Sequence, residues 1–441
     1  MNAGAQRLAN LRARLTEPHA REMLLGSLVA LTVKVLAAIS LLAMNVVITR
    51  TVGASEAGLF FLAFTLVTML ATVGRAGLDQ AVVRFVAEND GKTSPSVLRS
   101  LYRKAVTIAF AISSGLAISL FNSAGWISEN LFTLSGFEPV FKTMLLGCPL
   151  VALFMVHAQA LQGLKKISKS MLVSSVCLPV FVLGFMLVSP ARGGEELSRY
   201  FVMSAILTVI LGRIFWRQSL PDIKHNAEFP LSTLQRTCMP LWIVAVMHQV
   251  IQWSSQLMLG AWENAEAVAY FATAQRTAML TSFILFAVNA IAAPKFAAMY
   301  ASGNVEGIKR VALMSVKLML LVTLPVSSVI FLFPEWLMSI FGEEFRKAAP
   351  VLVILAVGQL INIATGSVGY LLSMTGNEKK VRDNVLISGV VSVLLGLLLI
   401  PVIGVIGAAI AYSCGVASQN LLGVYQVKKQ LGFNTLLFWK G

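Results

Sequence analysis

The chain has 441 residues, of which 57% are apolar and only 12% are charged, and its formal net charge is +15. Soluble domains carry about 45–50% apolar and about 25% charged residues, so this composition excludes a soluble globule, which could not bury so much apolar surface. The apolar residues come in blocks about 20 residues long, which suit membrane-crossing helices, and not in the alternating segments of about 10 residues that form a membrane β-barrel.

These blocks predict an all-α integral membrane protein with about twelve transmembrane helices. In chain order, the predicted spans are 23–49, 57–82, 104–121, 142–162, 170–189, 198–215, 238–260, 267–292, 312–333, 349–374, 384–403 and 405–427. Residues 1–22 precede the first span and contain Arg7, Arg12, Arg14 and Arg21. The first apolar block is too long for a cleaved signal peptide, so we expect the mature protein to retain it.

Lysine and arginine are unevenly distributed between alternate connections. One set holds Arg50, Arg192, Arg346 and Lys347 and few others. The other set is much more basic and contains Arg84, Lys92, Arg99, Arg103, Lys104, Lys165, Lys166, Lys169, Arg217, Lys224, Arg236, Lys295, Lys309, Arg310, Lys379, Lys380, Arg382, Lys428, Lys429 and Lys440. This bias predicts that the basic connections and both termini are cytoplasmic, with an even number of spans. Membrane insertion accounts for the net charge, so nucleic acid is not an expected partner.

The sequence repeats itself at an offset of 210 to 213 residues. The matching pairs are Glu56 with Glu266, Phe61 with Phe271, Arg84-Phe85 with Lys295-Phe296, and the turn that begins at Gly163 with the turn that begins at Gly376. These matches predict two six-helix bundles of the same orientation, 23–217 and 238–430, joined by a cytoplasmic linker at 218–237 and followed by a cytoplasmic tail at 431–441. Transporters that alternate access by rocking have repeated halves with a binding site between them.

Two cations occur deep within predicted spans. Lys34 lies eleven residues into the first span, and Asn45, eleven residues further on, shares its helix face. Arg276 lies nine residues inside the eighth span, beside Gln275. Ionisable groups at such depth are costly unless they face a cavity or a partner. We predict that Lys34, Asn45 and Arg276 line an aqueous cavity, and a hydrogen-bonded contact between helices is the alternative for Arg276.

Other polar residues within the spans allow two interpretations each. Arg75 and Asp79 are spaced to form an ion pair on one helix face, or else Arg75 lines the cavity and Asp79 is a proton or cation site. Gln249, Gln252 and Gln256 form a polar stripe on the seventh span, which must meet either protein or water. With Lys34 and Arg276, a cavity lined by these residues is more cationic than anionic, which suits phosphate or pyrophosphate. The only cofactor-like species expected is a coupling ion, H⁺ or Na⁺.

Neither metal chemistry nor catalysis is expected of the chain. Cys148, Cys177, Cys238 and Cys414 lie in or beside apolar segments, without CxxC or metal-ligand spacing. The sequence contains no GxxxxGK[ST] motif, which argues against ATP-driven transport. The long external connection 122–141 has no Lys, Arg or His. We therefore predict no catalytic residues.

The chain resembles a known family along most of its length. The similar segments are Asn45 to Gly53, Ala57-Gly58-Leu59-Phe60, Gly77-Leu78, Arg84-Phe85-Val86-Ala87, Leu161 to Lys165, Ala269-Tyr270-Phe271 with Arg276, and Ala293-Pro294-Lys295-Phe296. In these motifs the sequence is similar to the Wzx-type flippases, which belong to the multidrug/oligosaccharidyl-lipid/polysaccharide exporter superfamily. Most of the motifs are packing and turn signatures, so they identify the superfamily better than the substrate.

The resemblance implies a V-shaped, MATE-like pair of bundles around a cationic cavity. It implies transport of a polyprenyl-pyrophosphate-linked oligosaccharide across the bacterial inner membrane, with membrane lipids, the polysaccharide polymerase and chain-length proteins as further partners. Relatives often carry an acidic residue near the end of the seventh span, where this chain has Trp253-Ser254-Ser255-Gln256. That departure puts a carboxylate-coupled mechanism at this place in doubt.

Two other functions compete with this interpretation. A cation-coupled multidrug exporter of the same superfamily usually has carboxylates in its cavity, whereas Asp79 is the only carboxylate well inside a predicted span. A membrane enzyme that acts on the same lipid carrier needs an external loop with catalytic groups. The sequence favours the flippase over both.

Overall fold

The computed structural model of the chain describes residues 18–89, 95–220 and 229–440. Every regular element in these ranges is a helix, which confirms the predicted fold class. Five basic residues that the sequence assigns to the cytoplasm lie outside the described residues, namely Arg7, Arg12, Arg14, Lys92 and Lys224. We refer to residues 18–220 as the first half and to residues 229–440 as the second half.

The first half contains nine α-helices in its described residues. They are α1 (Pro18–Gly74), α2 (Leu78–Asn89), α3 (Pro95–Asn122), α4 (Ala124–Ile127), α5 (Phe137–Leu145), α6 (Cys148–Gly163), α7 (Ile167–Met171), α8 (Cys177–Val188) and α9 (Gly194–Ser219). Two π-helical turns, Ser128–Phe132 and Leu172–Val176, continue α4 and join α7 to α8.

The second half contains eight α-helices in its described residues. They are α10 (Leu231–Trp262), α11 (Ala265–Met279), α12 (Phe283–Ala301), α13 (Val305–Leu332), α14 (Pro334–Ser339), α15 (Ala349–Thr365), α16 (Val368–Met374) and α17 (Glu378–Leu431). Three 3₁₀ turns lie between or after these helices, at Leu280–Ser282, Glu343–Ala348 and Thr435–Lys440.

Seven helical stretches of the described residues are long and apolar enough to cross a membrane, or eight if α5 and α6, which meet at a 42° bend, form one span. Two of the seven belong to the long helices α1 and α17, each of which a break divides into two arms. In α1 the break is at Gly53, where φ is 77° and ψ is 175°. In α17 it is at Gly404, where φ is 54° and ψ is −130°. Glycine permits these backbone angles because it has no Cβ.

The helix α10 is 32 residues long, and α11 continues into α12 through a single 3₁₀ turn. Together with the two divided helices, these segments are consistent with the twelve predicted spans. The exact boundaries of the two bundles, the linker and the tail stay predictions.

The core of the molecule is continuous across the junction between the halves. One buried apolar cluster contains Phe61 of α1, Phe271 of α11, Phe345 of the 3₁₀ turn Glu343–Ala348, and Tyr412 of α17. Small residues allow the closest approach, since a Cβ atom on Gly58 would overlap the main-chain carbonyl of Ala265. In lipid, where apolar burial alone does little to bring helices together, such close contacts between small residues stabilise helix pairs.

The junction between the halves is formed mainly by α1, α10 and α11. The helix α11 packs against α1, and α10 packs against α1 and α2 on one side and against α17 on the other. By contrast, α12 packs mainly against α13 and α16 of its own half. The spans that carry the predicted site residues are therefore the spans that meet at the junction.

Candidate functional site

Arg276 reaches from the second half of the molecule to the first. It lies near the C-terminal end of α11, and its Nη1 donates to Oδ1 of Asn45 on α1 at 3.1 Å. Its Cζ atom lies 4.2 Å from the ring centroid of Phe61 and 5.7 Å from that of Phe64, both on the second arm of α1. Aromatic faces attract cations at these distances. The side chain is therefore directed at the junction between the halves.

No carboxylate within residues 18–89, 95–220 and 229–440 forms an ion pair with Arg276. The side chain is half-buried. The desolvation free energy of a buried charge without a counter-ion is roughly several kcal/mol. An arginine has five N–H donors, and in this part of the chain only Nη1 of Arg276 donates to another group. The other donors have no hydrogen-bond partner among the described residues.

Lys34 lies on the same arm of α1 as Asn45, eleven residues closer to the N-terminus. Eleven residues make about three helical turns, so the two side chains share a helix face and lie about 16 Å apart along the axis. The neighbouring Val33 packs against Val176 within the first half, and Lys34 is half-buried beside that contact. Lys34 thus lies on the helix face that carries Asn45, but it is not part of the group formed by Asn45, Arg276, Phe61 and Phe64.

Arg75 and Asp79 form the ion pair that their spacing allows. Nε of Arg75 donates to both carboxylate oxygens of Asp79, at 2.7 and 2.9 Å. Nη2 of Arg75 donates to Oγ1 of Thr72 at 3.0 Å, and Nε2 of Gln249 donates to the same hydroxyl oxygen at 2.9 Å. The indole Nε1 of Trp242 donates to the main-chain oxygen of Val73 at 3.2 Å, again between α10 and α1. This cluster joins the halves, and its charges balance.

The three glutamines of α10 do not line one common surface. Gln249 and Gln256 face α1, and Gln256, which is fully buried, donates from Nε2 to the main-chain oxygen of Phe61 at 3.0 Å. Gln252 faces α11 instead, and its Nε2 donates to Sδ of Met279 at 3.3 Å. The stripe is explained by the position of α10 between two packed neighbours, and its contacts favour helix packing.

A neutral polar network in the second half is absent from the sequence-based prediction. Oγ of Ser282 donates to Oε1 of Gln359 at 2.5 Å, and Nδ2 of Asn362 donates to the same oxygen at 3.2 Å. Nε2 of Gln359 lies 3.5 Å from the hydroxyl of Tyr412. The sequence signal for this network is the spacing of Gln359 and Asn362, three residues apart on one helix face of an apolar span.

A second contact between the halves lies at the other end of the α1 arms. Nε of Arg50 donates to the main-chain oxygen of Ile340 at 2.7 Å, and the main-chain N–H of Ala54 donates to Oε1 of Glu344 at 2.7 Å. Each half thus supplies one charged side chain to a free main-chain group beside a helix end of the other half. We call these four residues the outer clasp, because the positive-inside bias of the sequence predicts that the connection containing Arg50 is external. No other role for Arg50 is predicted from the sequence.

Comparison with known proteins identifies the family of the chain. A family model described as polysaccharide biosynthesis protein matches residues 23–300, and a second, described as MatE, matches residues 240–402. The probable low-salt glycan biosynthesis flippase Agl15 of Haloferax volcanii is 23% identical to this chain, over 85% of this chain and 76% of that protein.

Solved transporter structures share the fold. An inward-facing multidrug resistance MATE family transporter of the MOP superfamily superposes with a TM-score of 0.74 at 16% identity, over 94% of this chain and 99% of the other. The lipid II flippase MurJ in its inward closed conformation superposes with a TM-score of 0.71 at 15% identity, over 92% and 87% of the two chains. The fold is therefore MATE-like. Because the first family model covers more than half of the sequence, this multi-pass membrane protein belongs to the family of polysaccharide biosynthesis proteins.

Proposed function

We propose that the protein is a flippase that moves a polyprenyl-pyrophosphate-linked oligosaccharide from the cytoplasmic to the periplasmic leaflet by alternating access. The cargo is a repeat unit of O-antigen, capsule or exopolysaccharide. The protein acts in the bacterial inner membrane with both termini in the cytoplasm, and it works beside the polysaccharide polymerase and chain-length proteins. The family and the glycan biosynthesis flippase of Haloferax volcanii support this class of cargo.

The observation that carries the proposal is the guanidinium of Arg276, held at the junction of the halves without a carboxylate partner among the described residues. A pyrophosphate supplies the missing negative charge and several acceptor oxygens in a geometry that a guanidinium binds bidentately. Lys34, on the same helix face as Asn45, offers a second cation on the cytoplasmic approach. The glycan passes between the halves while the polyprenyl chain stays in the lipid.

The packing of α11 and α12 supports entry from the cytoplasmic side. The helices α11 and α12 form one predicted span, divided by the 3₁₀ turn Leu280–Ser282. Before the turn, α11 packs against α1, whereas after it α12 packs mainly against α13 and α16. The contacts that α11 makes with α1 are therefore on the side of the outer clasp. Arg276 lies just before the turn, where a headgroup entering from the cytoplasm meets the closed part of the junction.

A cation-coupled multidrug exporter is the second candidate, favoured by the match of the MatE model to residues 240–402. A cationic drug needs a free carboxylate in the cavity. Asp79 accepts two hydrogen bonds from Arg75, so its charge is already balanced. The unpaired guanidinium of Arg276 repels a cation, which makes the flippase the better fit.

Transport by purified protein in proteoliposomes tests the proposal. A fluorescent polyprenyl-pyrophosphate-linked oligosaccharide is placed in one leaflet, and its appearance in the other is measured. We expect Arg276→Gln to abolish transport. Arg276→Lys should retain a fraction of the activity, since lysine keeps the charge but loses the planar fork and the stacking on Phe61.

Arg199→Gln is the matched control, because it removes an exposed arginine that pairs with Glu195 on the surface of α9. This variant should transport like the wild type. Wild-type transport by Arg276→Gln, at equal protein amount, would contradict the proposal. Transport of a cationic dye in place of the lipid-linked glycan would favour the multidrug exporter.

A further inference from the structure

We propose that Asn45 is a positioning residue that holds the guanidinium of Arg276 for an anionic headgroup without cancelling its charge. The inference rests on the proposed function, because it concerns the same cation. Its central feature is that the acceptor facing Arg276 is a neutral amide at a place where a carboxylate would fit.

The amide of Asn45 is fixed on its own helix before it meets Arg276. Its Nδ2 donates to the main-chain oxygen of Leu41 at 2.6 Å. This bond leaves Oδ1 as the atom that faces the second half, and Oδ1 accepts from Nη1 of Arg276 at 3.1 Å. Asn45 is 1% exposed, so its side chain has no room for another arrangement. The orientation of the acceptor is set by the first half alone.

Two aromatic rings restrict the guanidinium further. Phe61 covers its centre at 4.2 Å and Phe64 approaches it at 5.7 Å. These rings are themselves held by packing, since Phe60 lies 5.7 Å from Phe61 and 6.4 Å from Phe64 between ring centroids. A ring placed over the guanidinium centre leaves the N–H edges uncovered. Asn45 occupies one N–H, so the other edges keep their capacity for phosphate oxygens.

A neutral acceptor suits this task better than a charged one. An aspartate at the same position would form a partly buried ion pair with Arg276, and an incoming anion would have to displace that carboxylate. An amide oxygen satisfies a single donor and leaves the full positive charge in place. Arg75 shows the other outcome in the same protein, since Asp79 neutralises it.

The residues around Arg276 also connect binding of the anion to relative movement of the two halves. Asn45, Phe61 and Phe64 belong to the first half, and Arg276 belongs to the second. When the halves separate between α1 and α11, the contact between Asn45 and Arg276 must break. A bound pyrophosphate offers the released guanidinium a stronger partner than the amide, so binding of the anion favours separation.

The test compares Asn45→Asp with Asn45→Ala in purified full-length protein, with farnesyl pyrophosphate as the probe. Aspartate is isosteric with asparagine and keeps an acceptor facing Arg276, whereas alanine does not, and both variants lose the Nδ2 bond to Leu41. A purely structural role therefore predicts that Asn45→Ala is the more damaging change. We expect the reverse order. Asn45→Asp should weaken binding about tenfold or more, since close charge pairs couple strongly, and should block transport. Asn45→Ala should weaken binding less, because the cation remains uncompensated.

Melting temperatures separate function from folding. Asn45→Asp should melt no lower than Asn45→Ala, because both variants lose the Nδ2 bond to Leu41 and only Asn45→Asp gains an ion pair with Arg276, while Asn45→Asp should bind the probe more weakly. If Asn45→Asp binds farnesyl pyrophosphate as tightly as the wild type, or if Asn45→Ala is the weaker binder, the inference is wrong. The Arg276→Gln variant distinguishes failure of the proposed function from failure of the inference about Asn45. Normal transport by that variant overturns the proposed function itself, whereas its failure together with normal transport by Asn45→Asp overturns only the role of Asn45.

Discussion

Two arginines in the membrane-spanning part of the molecule have opposite electrostatic settings. Arg75 is 7% exposed and is balanced by Asp79 at 2.7 Å. Arg276 has an amide and two aromatic rings around it and no carboxylate partner in the described residues. A balanced pair can be buried for structural reasons, whereas a lone charge at this depth is retained for a ligand. Under the proposed function, this contrast gives Arg75 a structural role and Arg276 a binding role.

The pair of Arg75 and Asp79 should behave as one structural unit. We expect Asp79→Asn to destabilise the protein by about 1–3 kcal/mol, because it leaves a buried guanidinium without its counter-ion. The double variant Arg75→Gln/Asp79→Asn should recover much of that loss, since it removes both charges together. Thermal melting in detergent measures both effects. Equal or greater instability of the double variant, with loss of ion-gradient dependence in Asp79→Asn alone, would make Asp79 a coupling site instead.

Sequence alone identifies the charged residues of the site but not their partners. Lys34 and Arg276 are conspicuous because a charge inside an apolar block is costly. The contact of Arg276 with Asn45 joins residues 231 positions apart, and no periodicity encodes it. The glutamines of α10 were found by their spacing, yet their separate roles depend on α10 lying between α1 and α11. Arg50 and Glu344 gave no signal at all, since charged residues in connections are ordinary.

The two arms of α1 carry most of the contacts that the first half makes with the second. The break at Gly53 lets the arms meet at an angle, with the start of the second arm facing Glu344. One turn later, Gly58 passes directly over the start of α11. Helix ends and glycines thus define how closely the halves approach on this side.

Gly58→Ala should prevent this close approach. Its methyl group would overlap the main-chain carbonyl of Ala265, which cannot move without shifting α11. We expect a loss of about 1–3 kcal/mol in stability and a marked loss of transport. Gly115→Ala on α3 is the matched control, because no atom lies within 4 Å of its new Cβ and alanine favours a helix. Similar behaviour of the two variants in melting and transport assays would contradict the importance of this crossing.

The outer clasp should act as a gate on the side of the molecule that the sequence predicts to be external. The Glu344 carboxylate accepts from Ala54 at the start of a helical arm, where a negative charge contributes about 1 kcal/mol. Glu344→Gln should therefore shift the closed-to-open ratio about fivefold towards open. Thr49→Cys, placed just inside the clasp in a background without the four native cysteines, reports opening through its labelling by an impermeant thiol reagent.

Glu343→Gln is the control for this measurement. Glu343 is the neighbouring carboxylate and pairs with Arg346 at 2.9 Å, away from the first half. We expect labelling of Thr49→Cys to rise in Glu344→Gln and to stay at the wild-type level in Glu343→Gln. Equal labelling in both would show that the clasp does not restrict access.

For the molecule as a whole, composition and apolar block length were sufficient to predict a helical membrane protein, and the family resemblance supplied the MATE-like arrangement. Most predicted spans coincide with helices of the structure. The differences lie at breaks, for example where α1 runs from 18 to 74 with Gly53 as its division, because a glycine hinge and a loop look alike in sequence. The division of α11 from α12 is also invisible in sequence, since the composition on both sides of the 3₁₀ turn is apolar.

An alternating-access cycle requires that the junction open on each side in turn. The described contacts place two sets of bonds in its way, the outer clasp with the Gly58 crossing and the cluster of Thr72, Gln249 and Trp242. Phe61 and Phe64, which face Arg276, lie between these two sets along the second arm of α1. A ligand bound there can influence both, which is the arrangement expected of a site exposed first to one leaflet and then to the other.

The most direct measurement is an experimental structure of the protein with a bound polyprenyl pyrophosphate. We expect the pyrophosphate between the halves, with at least one phosphate oxygen about 3 Å from the guanidinium nitrogens of Arg276 and the contact to Asn45 lengthened or broken. A structure in which the headgroup binds elsewhere, while Arg276 remains bonded to Asn45 and makes no contact with phosphate, would contradict the assignment of this cation as the binding site.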